Sequence, residues 1–161
     1  MYKIRVILDT KEDVLRTILV EDSINLERLH FIIAEAFGFE GQEIASFYKA
    51  DDEWNQGEEI PLFNMEETTT SIAMQNCLLT ETLPLENDKL IYVYDFLNMW
   101  TFYVDVVEIL KEQKENLPQV ILSVGKIPEE APEKEFVADK LDDDTDDDEF
   151  DIFDDFDFNE Y

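Results

Sequence analysis

Residues 90–109 have the sequence LIYVYDFLNMWTFYVDVVEI, in which two apolar runs flank a short polar segment. The runs Leu90 to Phe96 and Trp100 to Ile109 are rich in aromatic and β-branched residues, a composition typical of strands. Alternate side chains share one face of each predicted strand, namely Tyr92, Tyr94 and Phe96 in the first and Phe102, Val104 and Val106 in the second. Because few residues separate the runs, we expect them to pair as an antiparallel hairpin.

The N-terminal region predicts a second hairpin, followed by the main helix. Apolar residues alternate with polar ones from Tyr2 to Leu8, and Val14 to Val20 fits a return strand. A helix is expected from about Asn25 to Phe37, and Gly38 suits the left-handed position that follows a helix. The helix would bury one apolar face, formed by Leu26, Leu29, Ile33 and Phe37.

Four further segments complete the predicted order. We expect a short strand over residues 43–49, an acidic loop over 50–59, a short helix around 71–76 and a final strand over 119–124. Strands with one main helix in this order predict an α+β fold with a mostly antiparallel sheet. A hairpin followed by a helix packed on it is also similar to the β-grasp topology.

Charge divides the chain into two regions. The protein has 161 residues and a formal net charge of -29. Residues 1–128 carry 24 acidic and 10 basic side chains, and residues 129–161 carry 17 and 2. Pro128 and Pro132 bracket an acidic connector. We therefore predict a folded domain over residues 1–128 and an acidic tail over 129–161 that is disordered when free.

Composition excludes several classes of function. Direct binding of duplex nucleic acid or of an anionic membrane needs clustered Lys and Arg, which this acidic chain lacks. Cys77 is the only cysteine, so no intramolecular disulfide is possible. The N-terminus lacks a signal-peptide apolar block, and polar residues interrupt the richest apolar stretch. The expected location is the cytoplasm, and no cofactor is expected.

Two polar residues each allow a catalytic and a structural interpretation. His30 is the only histidine and lies on the apolar side of the helix or at its edge, so it is either a general base or metal ligand, or a side chain that packs or makes a hydrogen bond at that edge. With one His and one Cys, a zinc site lacks ligands, and we predict no metal. Asp95 lies between aromatic residues, an environment that would suit a desolvated general acid. It also suits a tight turn, in which its carboxylate would accept hydrogen bonds from backbone amides.

The tail combines acidic and aromatic residues. Seven of the eight residues from Asp142 to Glu149 are acidic, including Asp146, Asp147 and Asp148, but a calcium loop would need Gly and Glu where Asp147 and Phe153 stand. Six apolar residues follow: Phe150, Ile152, Phe153, Phe156, Phe158 and Tyr161. Acidic and hydrophobic residues in alternation are typical of segments that fold against a partner. The expected partner is a basic protein surface, for example on a nucleic-acid enzyme such as RNA polymerase.

Several stretches together resemble one known family. The run from Leu15 to Val20, the helix from Leu26 to Gly38 and the block Tyr94-Asp95-Phe96 with Trp100 are similar to the plasmid pRiA ORF-three-like family, also described as transposon passenger proteins. The resemblance covers roughly residues 2 to 130 and implies a compact α+β domain whose biochemical role is largely undefined.

This chain departs from the family in its polar positions. The family block usually reads Tyr-Asp-Phe-Gly-Asp-x-Trp-x-His. This chain has Leu97, Asn98 and Phe102 where that block has Gly, Asp and His. Most of any polar site of the family would therefore be missing. The leading hypothesis is a non-catalytic cytoplasmic adaptor whose tail docks on a basic surface. The alternatives are a small hydrolase or ligand-binding enzyme using Asp95 and His30, and a nucleic-acid-mimicking inhibitor.

Overall fold

Seven strands and three short helical segments are formed by residues 1–63, 72–112 and 114–131, which the computed structural model describes. Their bounds are β1 Tyr2–Leu8, β2 Leu15–Val20, α1 Leu26–Ala36, β3 Ala45–Ala50, β4 Gln56–Pro61, a 3₁₀ turn Met74–Asn76, α2 Leu79–Thr82, β5 Lys89–Tyr94, β6 Trp100–Ile109 and β7 Gln119–Val124. The predicted tail residues from 132 onward lie outside the described ranges.

All seven strands join one sheet in the order β4-β3-β5-β6-β1-β2-β7, and every neighbouring pair is antiparallel. The two predicted hairpins, β1–β2 and β5–β6, meet at the β1–β6 pair, where Ile4 lies opposite Val106 and Val6 opposite Val104. The predicted α+β fold with a mostly antiparallel sheet is confirmed. The strand order does not confirm the β-grasp-like arrangement.

Helix α1 begins and ends as its sequence indicates. Asn25 caps its N-terminus, since the side-chain oxygen accepts a hydrogen bond of 2.8 Å from the Arg28 amide. Gly38 follows the helix with a φ of 88°, a left-handed conformation that favours glycine. The buried face lies on the sheet, and the ring of Phe37 packs 4.7 Å from that of Phe102. The helix thus covers the sheet over the strands nearest its centre.

Three elements differ from the sequence expectation. Strand β4 begins within the segment predicted as an acidic loop and runs on to Pro61, because tertiary pairing with β3 overrides its low strand propensity. Ile60 lies opposite Phe47, and the Ser46 hydroxyl donates a hydrogen bond of 2.6 Å to Glu59. The short helix expected around 71–76 is a 3₁₀ turn over Met74–Asn76, followed by α2, which the sequence did not indicate. Within the described ranges no helix is long and apolar enough to cross a bilayer.

The end of β7 touches the β1–β2 turn at one glycine. Gly125 has a φ of 74°, and a Cβ built there would lie 2.2 Å from the Asp13 carbonyl oxygen. Gly38 has a comparable φ of 88° but open space around its Cα. A side chain at Gly38 would meet backbone strain alone, whereas one at Gly125 would meet strain and a steric clash.

We expect Gly125→Ala to lower the free energy of unfolding by about 3 kcal/mol, because strain and a backbone clash act together. Gly38→Ala is the matched control and should cost only about 1 kcal/mol, the strain alone. Urea denaturation followed by circular dichroism measures both values. Equal losses in the two variants would contradict the proposed contact between Gly125 and the turn.

Candidate functional site

His30 lies inside the protein, on the face of α1 that meets β5. Its side chain is fully buried, and Nδ1 shares a hydrogen bond of 2.5 Å with the Tyr92 hydroxyl. The rings of Phe31, Tyr92 and Tyr94 surround it at centroid distances of 4.6, 5.8 and 6.2 Å. Nε2 makes no hydrogen bond of regular geometry with the described residues. The only histidine of the sequence is therefore part of the aromatic core.

Burial sets the charge state of this pair. Desolvation lowers the pKa of His30 to about 4, and a contact with the Gly41 backbone opposes the shift only weakly. Desolvation also raises the pKa of Tyr92 well above its usual value, and the charge of Tyr94 would add to this effect. Both side chains are neutral at pH 7, so the bond between them joins two uncharged groups.

Asp95 holds the turn between β5 and β6. Its backbone is in the left-handed region, with a φ of 63°. One carboxylate oxygen accepts a hydrogen bond of 3.2 Å from the Leu97 amide, and the other accepts one of 2.6 Å from the Asn98 side chain. The carboxylate therefore performs the turn-holding role that the sequence offered as one of two interpretations. Among the described residues, no hydrogen bond or ion pair joins Asp95 to His30.

The tail residues singled out from the sequence lie outside the described residues. These are Asp146, Asp147, Asp148, Phe150, Ile152, Phe153, Phe156, Phe158 and Tyr161. Their proposed partner-binding role stays a prediction. Among residues 1–63, 72–112 and 114–131, no group of three or more His, Cys, Asp or Glu side chains is placed to hold a metal ion.

Strand β7 forms a surface that sequence reasoning did not identify. It is the last strand at one side of the sheet, and all six of its residues are exposed. Its four large apolar residues have exposed fractions of 36–50%: Val120, Ile121, Leu122 and Val124. The strand contains no charged residue and no proline. No second strand of the part of the chain that the structure describes pairs with its outer edge, and we call this strand, with that edge, the β7 margin.

The opposite side of the sheet is protected in the usual way. Strand β4 carries Gly57, Glu58, Glu59 and Pro61, residue types that discourage the pairing of another strand. The feature of β7 that discourages pairing is a single bulge. Thr17 lies opposite Leu122 and Ile18 opposite Val120, which leaves Ile121 as the extra residue. The two edges of the same sheet thus differ in charge and in apolar content.

A groove of about 440 Å³ lies between α1 and β7. Its walls are mainly apolar, from Ile18, Ile32, Ala36 and Val120, and its polar side chains include Arg16 and Glu35. We call it the α1–β7 groove. Val120 and Ser123 of β7 line it and share one face because the bulge at Ile121 shifts the alternation. Leu122 shares the other face of the sheet with Thr17. The groove exists because α1 does not extend over the last strand.

Arg16 fixes the geometry of this groove. Arg16 is 9% exposed, and its guanidinium donates to the carbonyl oxygens of Ala36 at 3.1 Å, Leu15 at 2.8 Å and Val124 at 3.0 Å. It also lies 4.9 Å from the centre of the Phe37 ring. Burial lowers the pKa of Arg16, although a guanidinium remains charged at neutral pH. One side chain therefore ties β2, the C-terminal end of α1 and β7 together.

The His30 site predicts a defined pH dependence of stability. Between pH 6.5 and about 4 an unfolded His is protonated while the folded ring is not, so stability falls as the pH falls through this window. Between pH 7 and 4.5 the wild-type protein should lose about 2–3 kcal/mol more than the His30→Phe variant. Urea titrations at both pH values measure this difference, which also removes the contribution of the other acidic groups.

The Tyr92→Phe variant is the control, because it keeps the titrating ring and removes only the hydroxyl. It should retain most of the additional pH dependence. If wild type and His30→Phe lose stability in parallel on acidification, burial does not set the charge of His30.

Comparison with known proteins identifies the family of this chain. The crystal structure of a protein of unknown function, MM3350 from Methanosarcina mazei Go1, is similar with a TM-score of 0.61 and 20% sequence identity, over 76% of this chain and 67% of that one. At this identity the likeness concerns the fold. No curated protein matches the chain significantly. The model of the family described as "Plasmid pRiA4b ORF-3-like protein" matches residues 1–157, which confirms the predicted resemblance. The chain belongs to the plasmid pRiA4b ORF-3-like family.

Proposed function

We propose that this protein is a non-catalytic interaction protein of the cytoplasm that binds a basic surface of another protein. The acidic aromatic tail supplies charge and aromatic anchors, and the folded domain holds the tail in position. A nucleic-acid enzyme such as RNA polymerase presents a surface of this kind. The observation that carries the proposal is the β7 margin, an uncharged apolar strand at which the domain leaves hydrophobic surface exposed.

The position of the β7 margin in the chain supports a joint role with the tail. The strand ends at Val124, and the acidic region begins at Glu129 and Glu130, both of which are exposed. A partner seated on β7 would therefore lie next to the start of a region with 17 acidic and 2 basic residues. Charge attracts a basic partner over a distance, and burial of apolar surface then stabilises the complex.

The contacts of the polar candidates favour this proposal over the hydrolase alternative. His30 bonds to Tyr92 in the core, and both carboxylate oxygens of Asp95 accept hydrogen bonds within their own turn. A general base must reach a proton of the substrate, whereas the Asp95 oxygens are bonded within their own turn and the His30 ring is buried in the core. The hydrolase and the nucleic-acid mimic remain alternatives from the sequence, and the experiment below separates the mimic from the adaptor.

The test compares charge variants of the full chain in affinity capture from the native cell extract. One variant neutralises three tail acids, as Asp146→Asn, Asp147→Asn and Asp148→Asn. A second removes tail rings, as Phe150→Ala, Phe153→Ala and Phe156→Ala. Both should reduce capture of the specific partner several-fold. Raising the salt from about 0.1 M to about 1 M should also reduce it, because screening shortens the range of attraction from about 10 Å to about 3 Å.

The matched control removes the same charge from exposed positions of the domain, as Glu40→Gln, Glu43→Gln and Glu58→Gln. It should capture the partner as wild type does. Identical partner sets for control and tail variants would contradict the adaptor role of the tail. If a captured nucleic-acid enzyme is released by duplex DNA and loses activity in the complex, the mimic is the better description.

A further inference from the structure

The β7 margin has the properties of a strand that accepts another strand. An edge strand directs N–H and C=O groups away from the sheet at every second residue, and these groups can pair with an extended peptide. The β4 edge at the opposite side of the sheet is protected by Glu58 and Glu59, whereas β7 has no charged residue over its whole length. Among the described strands, β7 is thus the edge that is open to a further strand.

The α1–β7 groove provides a second element of recognition. A strand added beside β7 points alternate side chains to the two faces of the sheet, so every second side chain would face the side on which the groove lies. The groove is apolar at Ile32, Ala36 and Val120, and its volume of about 440 Å³ is sufficient for aliphatic side chains. Strand addition of this kind takes affinity from main-chain hydrogen bonds and specificity from pockets for alternate side chains.

Charge indicates which chain would be added. The protein has a net charge of -29, so a second copy would be repelled at the edge. Glu35 lines the groove beside Arg16, whose guanidinium donors are bound to carbonyl oxygens. The exposed Glu129 and Glu130 follow the end of β7 and outnumber the exposed Lys126 that precedes them. A segment with Lys or Arg at its ends and no acidic residue would complement these groups.

We propose that the β7 margin binds an extended segment of a basic partner protein by strand addition, with apolar side chains at alternate positions seated in the α1–β7 groove and Lys or Arg at its ends. This inference specifies how the partner of the proposed function would bind. It assigns recognition to the folded domain, in addition to any contribution of the tail.

The test uses the full chain and a fluorescent peptide with two lysines at each end and three Thr-Val pairs between them. Fluorescence anisotropy measures binding at about 0.1 M salt, and amide NMR spectra locate it. We expect the largest shift changes in residues 119–124. A second peptide, N-methylated at alternate residues on the edge that would face β7, keeps its side chains and charges but loses main-chain donors, so its affinity should fall about tenfold or more.

Substitutions in the protein provide a second test of the site. Val120→Lys places a charge at the groove and should weaken binding about tenfold or more. Gln56→Lys adds the same charge at the β4 edge and should leave binding nearly unchanged. Circular dichroism checks that both variants fold, and the N-methyl comparison on the wild-type protein remains decisive if Val120→Lys does not fold.

Other results would overturn the inference. No measurable binding, equal binding of both peptides, or shift changes away from β7 would exclude strand addition. Sedimentation of a dimer that Val120→Lys dissociates would assign the edge to a second copy. Movement of the β7 amide signals in Phe150→Ala/Phe153→Ala without any peptide would assign it to the tail of the same chain. The capture experiment with the tail variants tests the proposed function separately, so these results would overturn strand addition without deciding the role of the tail.

Discussion

The width of the sheet relative to its helical cover is the constraint on which the surface of this protein depends. Seven strands, at about 4.8 Å between neighbours, span about 29 Å. Helix α1 has 11 residues and is therefore about 16 Å long and about 10 Å across. Whatever its angle to the strands, a helix of these dimensions covers the centre of the sheet and leaves a margin uncovered. On the α1 side of β7 the exposure of Val120 follows from this mismatch, whereas Leu122 lies on the other face of the sheet.

Arg16 determines how the uncovered margin is joined to the rest of the protein. A buried guanidinium needs acceptors for its fixed set of donors, and carbonyl groups at the end of α1 and along β7 supply them. The C-terminal end of a helix also carries partial negative charge, which stabilises the cation there. The same side chain that anchors β7 thus forms part of the groove beside it. In this protein, structural support and a surface suited to binding arise from one arrangement.

The outcome for His30 and Asp95 shows how tertiary contacts decide the role of a polar residue. The helical spacing of Leu26 and His30 indicated that the ring lies at the edge of the apolar face, but only the position of β5 brings the Tyr92 hydroxyl to it. The sequence Asp95-Phe96-Leu97-Asn98 already favoured a turn, because the bonds concerned are local. Local hydrogen bonds were therefore predictable, whereas contacts between distant residues were not.

Sequence alone determined the two hairpins, the main helix with its Gly38 stop, the final strand and the family, because these depend on local periodicity and on recognisable blocks. Only the tertiary structure decided that β4 is a strand, since its Gly57 and Glu58 disfavour one until β3 supplies a partner. It also decided that β7 lies at the margin rather than in the interior. A strand of Val, Ile and Leu has the same composition in both places, and its neighbours in the sheet, which are distant in sequence, settle which faces meet solvent.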